Sequence, residues 1–172
     1  MAQFQIQSGQ SVLVDDHDLH ILRSDKFTYQ DTGRSSMYVR RSNTVWVKGV
    51  FVPQAAYLHR MIMNAGPGDI VDHKSGDTLD NRRDNLRFVT WQQNAMNQGK
   101  KTIHLCTSKF KGVSAEKRSK SKPWQVKIRC GDGKHRHIGN FASELEAAYH
   151  YDMASIAEHG VFGRRNFLPL AR

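Results

Sequence analysis

Val71-Asp72-His73-Lys74-Ser75-Gly76-Asp77-Thr78-Leu79-Asp80-Asn81-Arg82-Arg83-Asp84-Asn85-Leu86, running on through Thr90 to Asn94, is the stretch that decides how this 172-residue chain is read. Ile70–His73 reads as a brief strand, and Leu86–Thr90 reads as a second one, with a loop dense in Gly, Asp and Asn between them. Thr90 followed three residues on by Gln93 is a capping-box signature, so a short helix is predicted from Trp91 to about Gln98, stopped by Gly99. Strand, loop, strand and helix lie within one compact core, about residues 68–99.

The side chains in that core suit one chemistry. Asp72 offers a hard carboxylate and Asn94 a neutral amide oxygen, donors of the kind that Mg²⁺ or Mn²⁺ accepts. His73 offers a base whose ordinary pKa near 6.5 suits activating water at neutral pH. Arg82, Arg83, Arg87 and Lys74 supply positive charge for a phosphate. A metal, a base for water and cationic clamps are what phosphodiester hydrolysis requires. Taken singly, each residue reads more readily as a turn or strand-end residue than as a catalytic one. Neighbours on a regular strand face opposite ways, so a site shared by Asp72 and His73 predicts a bend there. His59 reads as a packed or capping histidine, and Asn97 shares a helix face with Asn94. His104, His150 and His159 lack ligand spacing and read as surface or packing residues.

Before this core the pattern from Gln10 to Val50 is short and alternating. It predicts a small antiparallel sheet, with Val12–Val14 and Leu19–Leu22 as apolar runs around the turn Asp15-Asp16-His17-Asp18. Met37–Arg41 and Val45–Lys48 flank Ser42-Asn43-Thr44 as a hairpin. Pro53 then suits a first helical turn, and Ala55, Ala56, Leu58, Met61 and Ile62 recur at helical spacing until Asn64, Gly66 and Pro67.

Charge divides the chain unevenly. Residues 1–100 carry 12 basic and 10 acidic side chains, whereas 101–172 carry 14 and 6, so most of the formal +10 belongs to the second part. Such asymmetry is the footprint of a polyanion-binding half. Cys106 and Cys130 have no CxxC partner, which excludes a zinc ribbon or finger and a disulfide framework. No apolar run is long enough to span a membrane, and Met1–Gln7 has no signal-like character. A cytoplasmic chain in a reducing compartment, with no membrane partner, is expected.

Residues 101–108 read as a linker. Beyond it Phe110–Ala115, Trp124–Arg129 and Arg136–Phe141 read as strands. A helix follows, with Ser143 as N-cap, Glu146 completing a capping box and Gly160 closing it. Gln125, Lys127 and Arg129 alternate against Val126 and Ile128, giving one basic and one apolar face, with Trp124 placed among the DNA-contacting residues. Lys117 and Arg118 add charge in the first turn. The class is therefore α+β: an N-terminal antiparallel sheet and a ββα unit in 1–100, then a three-stranded sheet with one packed helix in 109–172.

Together Leu58-His59-Arg60, Asp72-His73, Gly76-Asp77, Asn81-Arg82, Asn85-Leu86 and Asn94 resemble the HNH nuclease motif, in the variant found in homing endonucleases of phages and mobile introns. The resemblance implies a ββα-metal fold, His73 as general base and Asp72 and Asn94 as ligands of one Mg²⁺ (or Mn²⁺). It makes Asn85 the residue that orients the loop. Asn94 stands where many relatives have His, a departure shared by the homing branch.

Residues 109–169 resemble the plant ethylene-response-factor (Apetala-type) DNA-binding domain. The resemblance is carried by Phe110-Lys111-Gly112-Val113, Trp124–Arg129, Gly133–Phe141, Ala147–Asp152 and Asn166-Phe167-Leu168-Pro169. It implies a sheet lying in the major groove, with Lys111, Ser114, Trp124, Lys127, His135 and His137 at contact positions. Ser114 and His135 stand where the plant domains have Arg, and His137 where they have Trp. Arg129 and Arg136, with Arg40, Arg41 and Lys48 of the N-terminal sheet, complete the expected surface for double-stranded DNA. The expectation is an HNH homing-type endonuclease acting as a monomer that nicks one strand. The alternative is a DNA-binding regulatory or architectural protein with an inactive nuclease unit.

Overall fold

The computed structural model describes residues 2–24, 26–31, 37–48, 50–100 and 106–167. The fold is α+β, built from small antiparallel sheets with short helices. The chain divides into two compact units, Met1–Val89 and Thr90–Arg172. The division falls between the second strand of the central motif and its helix. Of the expected linker, residues 101–105 lie outside the described residues, as do Leu168 and Pro169. Among the described residues no helix is long and apolar enough to cross a membrane.

In the first unit β1 (Ala2–Gln5) pairs with β2 (Ser11–Val14), and a 3-10 turn at Asp16–Asp18 leads into α1 (Leu19–Ser24). Leu19–Leu22 is thus helical, not part of a sheet. The run has a single fully buried member, Leu22, so one side contact suffices for it. A three-stranded sheet follows in the order β3 (Thr28–Asp31), β4 (Met37–Val47), β5 (Val50–Tyr57). The hairpin turns after Val47, with Lys48 at φ 48°, and Ser42–Thr44 sits inside β4. Register runs from Arg40↔Tyr57 to Val47↔Val50, and a two-residue turn at its end suits the twist of the strands. The expected helix from Pro53 shrinks to α2 (Leu58–Ile62). Pro53 is tolerated in β5 because β5 is an edge strand, where a missing N–H breaks no second ladder. β6 (Ile70–His73) pairs with β7 (Leu86–Val89).

Val12, Val14, Leu22, Phe27, Val39, Leu58, Ile62, Val71 and Leu86 form the core of this unit. β2 also clips the β6–β7 loop: the Leu13 N–H donates to Leu79 O (2.9 Å), and the Asn81 N–H donates to Leu13 O (2.8 Å). The loop that follows His73 is therefore held by a strand nearly seventy residues earlier in sequence.

The second unit opens with α3 (Trp91–Asn97), whose Thr90–Gln93 capping box closes in both directions. β8 (Val113–Ala115), β9 (Trp124–Arg129) and β10 (His135–Phe141) form a sheet in the order β10-β9-β8, and α4 (Glu144–His159) packs on it. Ser143 Oγ accepts the Glu146 N–H (3.0 Å), but the Glu146 carboxylate reaches back to the Ala142 N–H (3.3 Å). Phe110, Val113, Val126, Ile128, Ala147, Ala148 and Tyr151 make the core. Gly112 lies against Tyr151 at φ 75°, and a Cβ there would sit 2.0 Å from the ring.

Candidate active site and nucleic-acid interface

The β6–β7 ladder keeps its register, with Asp72↔Arg87 and His73↔Leu86, and Lys74 N–H to Asn85 O (2.8 Å) carries it one residue further. The expected bend at Asp72-His73 is absent from this ladder. Alternation sends the two side chains to opposite faces. Asp72 meets Arg87, which sits directly across from it and donates from Nε (3.1 Å) and Nη2 (2.9 Å), both to Oδ2.

His73 turns into a buried cluster of rings. It lies edge-on to His59 with centroids 5.1 Å apart, and Tyr38 is 6.2 Å away. His59 in turn stacks on Tyr57 at 5.7 Å and meets Tyr38 at 5.3 Å. His59 is packed, and what it packs against is the candidate base. Burial pushes the His59 pKa down to about 3, helped by the charges of His73 and Arg60. Burial also lowers the His73 pKa, opposed by the Asn81 hydrogen bond and then by the carboxylates of Asp72, Asp77 and Asp80. Asp72 is thus close enough to act on the imidazole through its field even from the other face.

Two asparagines shape the loop. Asn81, fully buried, places Oδ1 3.3 Å from His73 Nε2 and donates from Nδ2 to Thr78 O (3.0 Å). Asn85 accepts the Ser75 N–H (2.9 Å) and donates to Asp80 O (2.7 Å), tying the start of the loop to its end.

The basic residues expected to clamp phosphate are engaged inside the chain. Arg82 grips Asp80 with Nε–Oδ1 2.8 Å and Nη2–Oδ2 2.6 Å, which holds the Asp80 carboxyl below its ordinary value. Arg83 grips buried Asp18 through Nε (2.9 Å) and Nη2 (2.8 Å), and its N–H donates to Asp15 (2.9 Å). Its place is structural: it neutralises an acid with 2% side-chain exposure. Lys74 Nζ donates to Asp84 O (2.6 Å). Spacing could not show this, because Asp18 and Arg83 are 65 residues apart.

Asn94 is carried on α3 in the second unit, half-buried, and Asn97 on the same helix is buried. The last turn of α3 is fastened by Lys111, whose Nζ donates to Met96 O and Gln98 O (2.6 Å each). The Arg164 N–H also donates to Met96 O (3.1 Å), and the Gln92 side-chain amide donates to Gly131 O. Lys111, expected at a DNA-contact position, serves as the cap of a helix C-terminus. Burial, with Arg164 nearby, lowers its pKa to about 8.

The open face of the second sheet follows from register. Ser114↔Gln125↔Asn140, Lys127↔His137 and Arg129↔His135 share one side, and Ser114, Lys127, Arg129, His135 and His137 are exposed. Lys117 and Arg118 are exposed in the turn after β8. Two further residues expected to contact DNA have partners inside the unit. Trp124 shares parity with Val126 and Ile128 and packs half-buried on the core. Arg136 pairs across from core residue Ile128, and its guanidinium binds Glu158 of α4 (2.8 Å). Arg40 and Arg41 are half-buried on β4 of the first unit, and the side chain of Lys48 is exposed. His150 stacks on Phe141 (4.3 Å), and His159 bonds Arg129 O (2.6 Å).

Among the described residues no group of three His, Cys, Asp or Glu side chains could hold a metal ion. A hard cation that keeps most of its water needs fewer protein donors, and the Asp72 carboxylate is of the right type.

Residues 56–96 match the family model described as HNH endonuclease, from the end of β5 into α3. This segment is thus similar to an HNH endonuclease domain, a kind of nuclease domain that generally uses a divalent metal. No curated protein matches the chain.

Proposed function

We propose that this chain is a homing-type HNH endonuclease that hydrolyses one phosphodiester of duplex DNA, nicking one strand as a monomer in the cytoplasm of a host cell. The observation that carries this reading is a buried imidazole within the matched segment, that of His73, near enough to feel the charge of Asp72 although the two side chains leave opposite faces of the ladder. His73 takes the proton of the attacking water. A base must be unprotonated to act, and burial favours that form. Asp72 would hold one Mg²⁺ (or Mn²⁺), with Asn94 as the amide donor that the family resemblance supplies. When bound, that ion neutralises charge developing on the phosphoryl group and the departing 3′ oxygen. Arg87 fixes the Asp72 carboxylate by one oxygen. Asn85 sets the loop between them.

The second unit acts as an ethylene-response-factor type module. Ser114, Lys127, Arg129, His135 and His137 line the face that meets double-stranded DNA, with Lys117 and Arg118 beside it. A DNA-binding regulator with an inactive nuclease unit is favoured by one observation, that Arg82, Arg83, Arg87 and Lys74 all have internal partners.

Supercoiled plasmid separates the two. The parent should yield open circles with Mg²⁺ or Mn²⁺ and none with EDTA. His73→Ala should bind the DNA as the parent does and nick it roughly 10²–10⁴-fold more slowly. No nicking by the parent with either ion would leave the regulator reading in place.

A further inference from the structure

We propose that a cleft at the β8 edge of the second unit is a phosphate-binding site, which takes one backbone phosphate of the DNA beyond the open face of the sheet. This rests on the reading of the second unit as a DNA-binding module and adds to it residues that lie outside its strands.

The cleft encloses about 300 Å³, and its lining includes Lys100, Lys109, Lys111, Arg164 and Arg165 together with Asn166. Those five cations come from three places in the chain: just past α3, the approach to β8, and the segment after α4. No carboxylate is among the described residues that line it. Hydrogen bonds fix the recess to the core. The Lys111 N–H donates to Asn166 Oδ1 (2.8 Å), and Asn166 Nδ2 donates back to Lys111 O (3.2 Å). Buried Asp152 of α4 accepts the N–H groups of Asn166 (2.6 Å) and Phe167 (2.8 Å), so its charge is directed at the backbone. Lys100 Nζ donates to Val113 O of β8 (3.2 Å), which brings the end of the α3 segment against the sheet edge.

Like charges are gathered here around a recess, where a plain basic surface would spread them into water. Lys100 and Lys111 are bonded to carbonyl oxygens, which orient an ammonium without cancelling its charge. Lys109 Nζ lies 5.2 Å from the centre of the Phe110 ring, and that ring is buried. The lowered pKa of Lys111, caused by burial and then by Arg164, is the response of an ammonium short of negative charge. A phosphate supplies that charge, and arginine and lysine are its usual donors.

The position of the cleft favours DNA as the source of the phosphate. β8 is an edge strand, and Ser114 on its open face stands three residues after Lys111. A duplex lying on that face carries a dense row of phosphates past the sheet edge. Contacts of this kind set orientation and register and carry no sequence information.

The test is the salt dependence of duplex binding by the full chain in EDTA, where nothing is cut. Lys109→Gln with Arg164→Gln removes two charges and keeps the stems of both side chains. The slope of log affinity against log salt should become shallower by about one, the value for one phosphate, and the effect should add to that of replacing Lys127 and Arg129. An unchanged slope in the cleft variant overturns the proposal, and a change in the sheet variant would then leave the DNA-binding reading standing. A slope that falls in the cleft variant alone keeps the cleft and removes the sheet face.

The amide resonances of Lys111 and Asn166 give a second readout that needs no variant. A short duplex and inorganic phosphate should each shift them saturably, and chloride at equal ionic strength should not. Shifts with inorganic phosphate and none with the duplex would assign the cleft to another anion and overturn the proposal. No shift with either would overturn it as well.

Discussion

The buried imidazole of His59 makes the first unit acid-sensitive in a way that can be worked out beforehand. His59 is 7% exposed, packed among Tyr57, Tyr38 and His73, with its folded pKa down to about 3 against an ordinary 6.5. Between those two values the unfolded chain binds a proton that the folded chain refuses. Stability is therefore complete above pH 6.5 and falls as the pH drops toward 3. At pH 5 the unfolded histidine is almost fully protonated and the folded one is not, which costs about 2 kcal/mol relative to pH 7.5. That figure needs only a folded value well below 5. His73, shifted the same way, adds to it.

His59→Phe keeps a ring against Tyr57 and His73 but removes the titration. Urea unfolding at pH 7.5 and 5.0, followed through amide resonances of Val14 and Leu86, should show the parent losing about 2 kcal/mol more than the variant over that interval. Equal pH dependence in the two proteins would mean that burial of this ring does not exclude the proton, and the reasoning would fail.

Three further outcomes are expected. Arg83→Ala leaves Asp18 buried with His17 (3.2 Å) as its remaining cationic neighbour among the described residues, and should cost about 2 kcal/mol in urea unfolding, less than a fully buried pair because the guanidinium is half exposed; Asp18→Asn in the same chain should recover part of the loss. Gly112→Ala puts a Cβ 2.0 Å from the Tyr151 ring and 2.8 Å from Lys127 O at φ 75°, and thermal unfolding of the second unit should register a loss of about 3 kcal/mol or more. Replacing Lys127 and Arg129 with Ala should reduce the salt dependence of DNA binding by about two logarithmic units of slope, whereas Arg136→Ala, already paired to Glu158, should leave it unchanged; equal effects would place the DNA on the wrong face.

What could be read from the chain alone was what is encoded within a few residues. Thr90 with Gln93 and Ser143 with Glu146 marked helix starts because a cap acts over three positions, and both lie where expected. Ile70–His73 and Leu86–Val89 were legible from alternation and the turn residues between them. Asp72, His73 and Asn94 were singled out by residue type.

Tertiary structure decided everything that needed a distant partner. Ala55, Ala56 and Leu58 fit a helix as well as a strand, and eight backbone pairs with β4 settled the choice up to Tyr57. Arg83 reads as a phosphate clamp until Asp18 is found across from it, and Lys111 reads as a DNA contact until the last carbonyls of α3 are found above its ammonium. His59 next to His73, and Asn81 next to the nitrogen it addresses, are juxtapositions made by folding. A side chain's type limits what it can do, but charge neutralisation, desolvation and hydrogen-bond direction depend on what stands a few ångströms away. In this chain those neighbours are often tens of residues distant in sequence.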